Sequence, residues 1–179
     1  MELKISKNEL NKALSFVQTI VQKRTTMPIL SNALISAKDG NLTVAATDLE
    51  ITATAKAKAD VISEGSTTVN AKVLYDVVKE LPDDNISLKL GEGDRLEILC
   101  GKSKTRIIGA SSEEYPSLPG QSLVVKTKIT SKQLSEMIAK TIYSVSLDET
   151  RFNLNGVSFE IVDLDNQKLL RMVASDGHR

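Results

Sequence analysis

The sequence predicts an α+β protein built from antiparallel sheets with amphipathic helices laid over them. Three observations carry that expectation. Apolar residues recur at helical spacing in stretches closed by a cap or a proline. Short runs of two-residue alternation stand between turn residues. The two signals come in the order β-α-β-β-β, twice over, up to Ala110.

The first helix is expected over Asn8–Lys23, with Leu10, Leu14, Val17 and Val21 on one stripe and Phe16 and Ile20 widening it. Ser6 is placed to cap it, and Glu9 three residues on would complete a capping box. Pro28 bounds the segment that follows. Strands are expected over Ile29–Ala37 and Asn41–Thr47, joined by the hairpin dipeptide Asp39-Gly40, and over Ile51–Ala59, whose ITATAKAKA alternation implies one wet face. A turn at Gly65 leads to a strand over Thr67–Asn70. Val73, Leu74, Val77, Val78 and Leu81 then predict a helix over Ala71–Glu80, stopped by Pro82. Ile86–Leu90, Leu96–Cys100 and Thr105–Ala110 alternate as three further strands.

Two prolines and a glycine within Glu113–Gly120 mark a linker or covering segment. Beyond it the opening pattern returns: Ile129-Thr130-Ser131-Lys132-Gln133-Leu134 matches Ile5-Ser6-Lys7-Asn8-Glu9-Leu10, and Ala174-Ser175-Asp176 matches Ala46-Thr47-Asp48. A repeated domain follows, residues 1–120 forming the first copy and 121–179 the opening of the second. The second copy should hold a helix over Lys132–Ser144 and strands near Val157–Val162 and Leu169–Ala174. Half a repeat cannot bury both faces of its sheet, so a truncated parent protein is expected, or a partner chain over the exposed side.

Composition narrows the function classes. Lys plus Arg and Asp plus Glu are 23 each, a formal charge of zero that excludes a polycation or an acidic tail but allows cations gathered on one face. Aromatics are 3%, too few for base stacking to be the main mode of nucleic-acid binding. Cys100 is the single cysteine and His178 the single histidine, which leaves no internal disulfide or zinc site; Cys100 reads as a small buried strand residue. The N-terminus lacks a signal-peptide apolar run and no span of about 20 apolar residues occurs, so a cytoplasmic location without membrane contact is expected.

Four ordered motifs carry a resemblance: Arg24-Thr25-Thr26-Met27-Pro28-Ile29-Leu30-Ser31-Asn32, Thr47-Asp48-Leu49-Glu50, Arg151-Phe152-Asn153-Leu154-Asn155-Gly156, and Ala174-Ser175-Asp176-Gly177-His178-Arg179. Together they resemble the bacterial DNA polymerase III beta subunit family, the sliding clamps, along all 179 residues. The resemblance implies a DNA clamp fold in which helices line a hole and antiparallel sheets form the outer wall. It implies the first domain and the opening of the second, with a third domain absent from the chain. Family chains pair head to tail as a homodimer ring around double-stranded DNA. They are non-catalytic processivity factors, although often filed under DNA-directed DNA polymerase. They bind short peptide motifs of the polymerase III catalytic subunit, the clamp loader complex, other polymerases and repair proteins. No cofactor or metal is implied. Topological linkage also suits a neutral chain, because tight phosphate contacts would add friction against sliding.

By the same resemblance Arg24 faces DNA, where position alone would read it as a cation at a helix C-terminus. Lys12, Lys72 and Lys79 match lining cations on the first two helices, and Lys132 and Lys140 on the third, although each reads equally as a solvated lysine. Such phosphate contacts carry no sequence information. Asp148 and Glu149 stand in a loop where relatives offer an uncharged polar DNA contact, and both are left out of that set. Leu154, Ser175, Gly177, His178 and Arg179 match part of the peptide pocket, with Ser175 where the family usually has Thr. Lys102, Lys104 and Ile107 match the edge strand that pairs between chains, and Thr105 stands where the family often has an aromatic. Alternating lysines are also a general defence of an exposed strand edge.

Asp176 and His178 admit a different reading, a small hydrolase whose acid orients a general base, with Asp48 and Glu50 as a carboxylate pair. No serine or cysteine stands out as its nucleophile and no Gly-rich phosphate loop occurs. A turn in which Asp176 caps and Gly177 takes positive φ accounts for the same residues. A third reading is a protein-interaction module that never meets DNA.

Overall fold

A computed structural model describes residues 1–21, 27–117, 128–164 and 167–179, with Glu149 described by its backbone alone. The chain divides into two compact units, Met1–Gly120 and Gln121–Arg179.

In the first unit β1 (Glu2–Ser6), α1 (Lys7–Val17), β2 (Asn32–Lys38), β3 (Asn41–Thr47), β4 (Thr52–Lys58) and β5 (Asp60–Ser63) precede β6 (Gly65–Asn70), α2 (Ala71–Glu80), β7 (Asn85–Leu90), β8 (Arg95–Cys100) and β9 (Ser103–Ala110). The strands are antiparallel throughout, in the order β4-β3-β2-β6-β9-β8-β7-β1-β5. With β4 and β5 counted as one run broken at Ala59, this is the β-α-β-β-β unit twice. β9 runs along β8 from Ser103 to Ile108 and then meets β6 with Gly109 and Ala110. The run β4-Ala59-β5 does the same for the other half, pairing first with β3 and then with β1.

Alternation sorts the strand residues. Leu3 and Ile5 of β1 are buried while Lys4 is exposed, and Ile86, Leu88, Leu96 and Ile98 point to the same core. Leu10, Leu14 and Val17 of α1 and Leu74 and Val78 of α2 close over it. Asp39 (φ 50°) and Gly40 (φ 69°) both take positive φ, the conformation a two-residue hairpin loop needs. Gly109 is required by close approach: a Cβ there would lie 2.4 Å from the Thr68 carbonyl oxygen and 2.7 Å from that of Asp94.

Several boundaries differ from expectation. α1 ends at Val17, well short of Lys23, which falls outside the described residues. The Ser15 and Thr19 hydroxyls bond back to the Lys12 and Phe16 carbonyls, and the Ile20 N–H bonds to Val17 O in a tighter turn, so the helix unwinds. Ser6 caps α1 through the Glu9 N–H, but the Glu9 carboxylate turns to Lys12 at 3.1 Å. Pro28 opens a 3-10 turn over Pro28–Ser31, so β2 starts at Asn32 and not at Ile29. At the expected linker Glu113–Gly120, a 3-10 turn over Ser112–Glu114 runs into its start and Tyr115 is buried, while 118–120 lie outside the described residues.

The second unit holds α3 (Ser131–Thr141), a 3-10 turn over Ile142–Ser144, 3-10 turns over Glu149–Leu154, and the antiparallel hairpin β10 (Ser158–Leu164) and β11 (Gln167–Val173). Thr130 and Gln133 form a full capping box at α3. Among the described residues, no apolar side chain of this unit is fully buried. One helix and two strands do not enclose a core.

Candidate functional site

Lys12 on α1 and Lys72 and Lys79 on α2 are exposed on the helix faces turned away from the core. Lys12 Nζ lies 3.1 Å from Glu9 and Lys72 Nζ 2.6 Å from Asp76, pairs one turn apart on solvated surfaces. Such pairs are weak and leave the ammonium groups free to exchange partners. Phe16 and Val73 are exposed on the same two helices, so the surface is mixed and not a cationic stripe. Lys7, which the sequence reading left unassigned, donates its ammonium to the Leu81 carbonyl and ties the start of α1 to the end of α2. Lys132 and Lys140 are exposed on α3, and Lys140 shares a shallow groove with Glu136 and Lys168. Arg24 lies outside the described residues.

The three residues matched to the edge strand, Lys102, Lys104 and Ile107, do not share one face of β9. Lys102 lies in the β8–β9 turn and not on the strand, and Lys104 is exposed, 3.4 Å from Glu97. Ile107 is 7% exposed and faces the core, while Ile108 is 78% exposed. Two adjacent isoleucines hide the parity, but Lys104 and Arg106 set it: the outward face of β9 is Lys104, Arg106 and Ile108. Glu97 accepts from Arg106 at 2.6 Å, and this bond holds its carboxyl below the ordinary carboxylate range.

The expected pocket residues fall into two neighbouring grooves of the second unit. Leu154 and Ser175 line one with Phe152, Val157 and Val173. His178 and Arg179 line the other with Ile142, Tyr143, Leu147 and Arg151. Gly177 joins them at φ 89°, donating its N–H to Ser175 Oγ at 3.0 Å. Asp176 Oδ1 accepts the His178 N–H at 2.8 Å and the Arg179 N–H at 3.1 Å, and Oδ2 takes Arg179 Nε at 3.0 Å. These donors, the His178 amide foremost, lower the Asp176 carboxyl. The Arg179 guanidinium stands 5.9 Å from the centre of the Tyr143 ring.

Arg151 joins this turn to the preceding loop: Nη1 donates to the Asp176 carbonyl at 3.4 Å and Nε lies 3.5 Å from Asp148 Oδ2. Asp148 also accepts the Thr150 hydroxyl at 2.6 Å, the first cause of its lowered carboxyl pKa. Its charge is thus spent within the loop. Tyr143, Leu147 and Arg151 escaped the sequence reading; only the place of Arg151 in a quoted motif pointed to any of them.

The hydrolase arrangement is not formed. The Asp176 oxygens serve main-chain amides and Arg179 and do not orient the imidazole of His178, and Asp48 Oδ1 likewise accepts the Glu50 and Ile51 amides. Both carboxylates cap turns.

The family model described as DNA polymerase III beta subunit, N-terminal domain, matches residues 1–119. The beta sliding clamp of Caulobacter vibrioides (strain NA1000 / CB15N) is 36% identical over 100% of this chain and 49% of its own length. That of Rickettsia felis is 34% identical over 100% and 46%. Among solved structures, pol III beta of Caulobacter crescentus superposes with a TM-score of 0.93 at 36% identity, covering 99% of this chain and 49% of that one. The sliding clamp of Bacillus subtilis also gives 0.93, at 27% identity over 99% and 48%. The chain thus spans about half the length of the curated relatives it matches.

Proposed function

The chain belongs to the DNA polymerase III beta subunit family, and from that membership we propose that it is the N-terminal part of a sliding clamp. The clamp is a processivity factor that encircles double-stranded DNA without reading its sequence and performs no catalysis. Residues 1–120 are its first domain and 121–179 the opening of its second. Its partners are a second copy closing the ring, the polymerase III catalytic subunit, the clamp loader, and other polymerases and repair proteins carrying clamp-binding peptides. Its place is the cytoplasm.

The observation that carries this reading is the whole-chain likeness to clamp structures. The helix surface supports it further. Lys12 and Lys72 each keep a carboxylate one turn away, so their phosphate contacts would be brief, and brief contacts suit a ring that must slide. Ser175, Gly177, His178 and Arg179 on one turn, with Leu154 in the adjoining groove, supply polar rim groups beside apolar floors, a surface for extended peptides with Leu or Phe anchors.

The test is a chimaera in which this chain replaces the matching part of the Caulobacter relative. The chimaera, dimeric by sedimentation, is expected to be retained on a nicked circular plasmid and released when the plasmid is linearised. A folded dimer that never stays on the circle overturns the proposal.

A further inference from the structure

The turn carrying His178 and Arg179 occurs twice in the chain. After β11, Ser175 Oγ accepts the Gly177 N–H at 3.0 Å, and Asp176 Oδ1 accepts the His178 and Arg179 N–H groups at 2.8 and 3.1 Å. After β3, Thr47 Oγ1 accepts the Leu49 N–H at 3.1 Å, and Asp48 Oδ1 accepts the Glu50 and Ile51 N–H groups at 3.0 and 2.7 Å. The third residue takes positive φ in both, 89° at Gly177 and 78° at Leu49. Each turn follows the second strand of a hairpin. One hydroxyl and one carboxylate thus fix three consecutive amides at both places, whatever side chains the turn then displays.

We propose that Asp176 is the positioning residue of the peptide-binding surface, holding His178 and Arg179 at its rim before a peptide arrives. The proposal rests on the peptide-binding reading above. Two separate demands fall on this side chain. Oδ1 must accept two amides at once, which an asparagine oxygen also does. Oδ2 must face Arg179 Nε at 3.0 Å, which an asparagine NH2 cannot do, being itself a donor. Tyr143 and the Arg151 bond to the Asp176 carbonyl hold the same turn from two further sides. Preorganisation of this kind removes an ordering cost from binding.

The test is a nitrogen-15 NMR titration of the 179-residue chain with a synthetic extended peptide ending in Leu-Phe. Asp176→Asn should keep the His178 and Arg179 amides ordered, free Arg179 Nε, and weaken the peptide about two- to tenfold, the cost of ordering one long side chain. Asp176→Ala should disorder both amides and weaken the peptide beyond Asp176→Asn. Asp48→Ala should disturb the Glu50 and Ile51 amides and leave peptide affinity unchanged. Wild-type affinity in Asp176→Ala overturns the proposal, as does equal loss in the Asn and Ala variants. A wild-type chain that shows no peptide shifts defeats the pocket reading. Asp176 is then judged on the His178 and Arg179 amides alone: disorder in the Ala variant upholds its positioning role, and unchanged order overturns it.

Discussion

The Tyr115 hydroxyl accepts the Thr47 N–H at 3.2 Å and donates to the Asn32 carbonyl at 3.2 Å, pinning the end of the first unit to β2 and β3. Burial raises its pKa, and the backbone bond from Thr47 partly offsets the rise. Tyr115→Phe leaves both main-chain groups without this partner and should cost about 1–3 kcal/mol, read from the urea midpoint.

Gly109 stands where β9 leaves β8 for β6. An alanine Cβ would sit 2.4 Å from one backbone oxygen and 2.7 Å from another, and backbone cannot swing aside as a side-chain tip would. Gly109→Ala should destabilise the first unit by at least about 2 kcal/mol, seen as a lowered melting temperature in circular dichroism.

Leu49 carries the opposite lesson. It holds φ 78° with its side chain 61% exposed, so the strain of the left-handed region is not repaid by burial. Leu49→Gly relieves about 1–2 kcal/mol of strain. It returns about 0.5–1 kcal/mol through the freer unfolded chain. Stability should hold or rise, as urea denaturation would report.

Glu97 links stability to pH. Its folded pKa is depressed, chiefly by the Arg106 bond, so its contribution is present above the ordinary carboxylate value of 4.5 and is lost as pH falls through the folded value. Melting temperature should decline over that acid window, and Glu97→Gln should flatten the decline while leaving the curve shape at neutral pH.

Lys72→Glu in the Caulobacter chimaera removes a cation beside Asp76 and adds a third acid to α2, after Asp76 and Glu80. DNA retention should weaken, and the slope of log affinity against log salt should fall by about 1 for each phosphate that is no longer neutralised.

Much of this architecture was legible because a strand with one wet face writes its alternation into the chain: ITATAKAKA and Leu96–Cys100 admit few other foldings. β5 was not legible. Its four residues carry no clear period, and their pairing with β1 depends on a partner more than 50 residues away. The end of α1 escaped because two hydroxyls competed for helical carbonyls, which an apolar stripe does not record. At the candidate site, the Asp-Gly turn was readable from residue types. The stacking of Arg179 near Tyr143 and the bridge through Arg151 depend on side chains that meet only after folding.

β4 and β5 stand at opposite ends of the strand order, yet only Ala59 separates them in the chain. β1 in turn lies between β5 and β7, so it waits for residues 85–90 before both its edges are paired. The nascent first half therefore has no finished sheet to settle into. The two β-α-β-β-β halves should fold in one cooperative step once the second has emerged, and a nascent-chain proteolysis series should show protection arriving all at once.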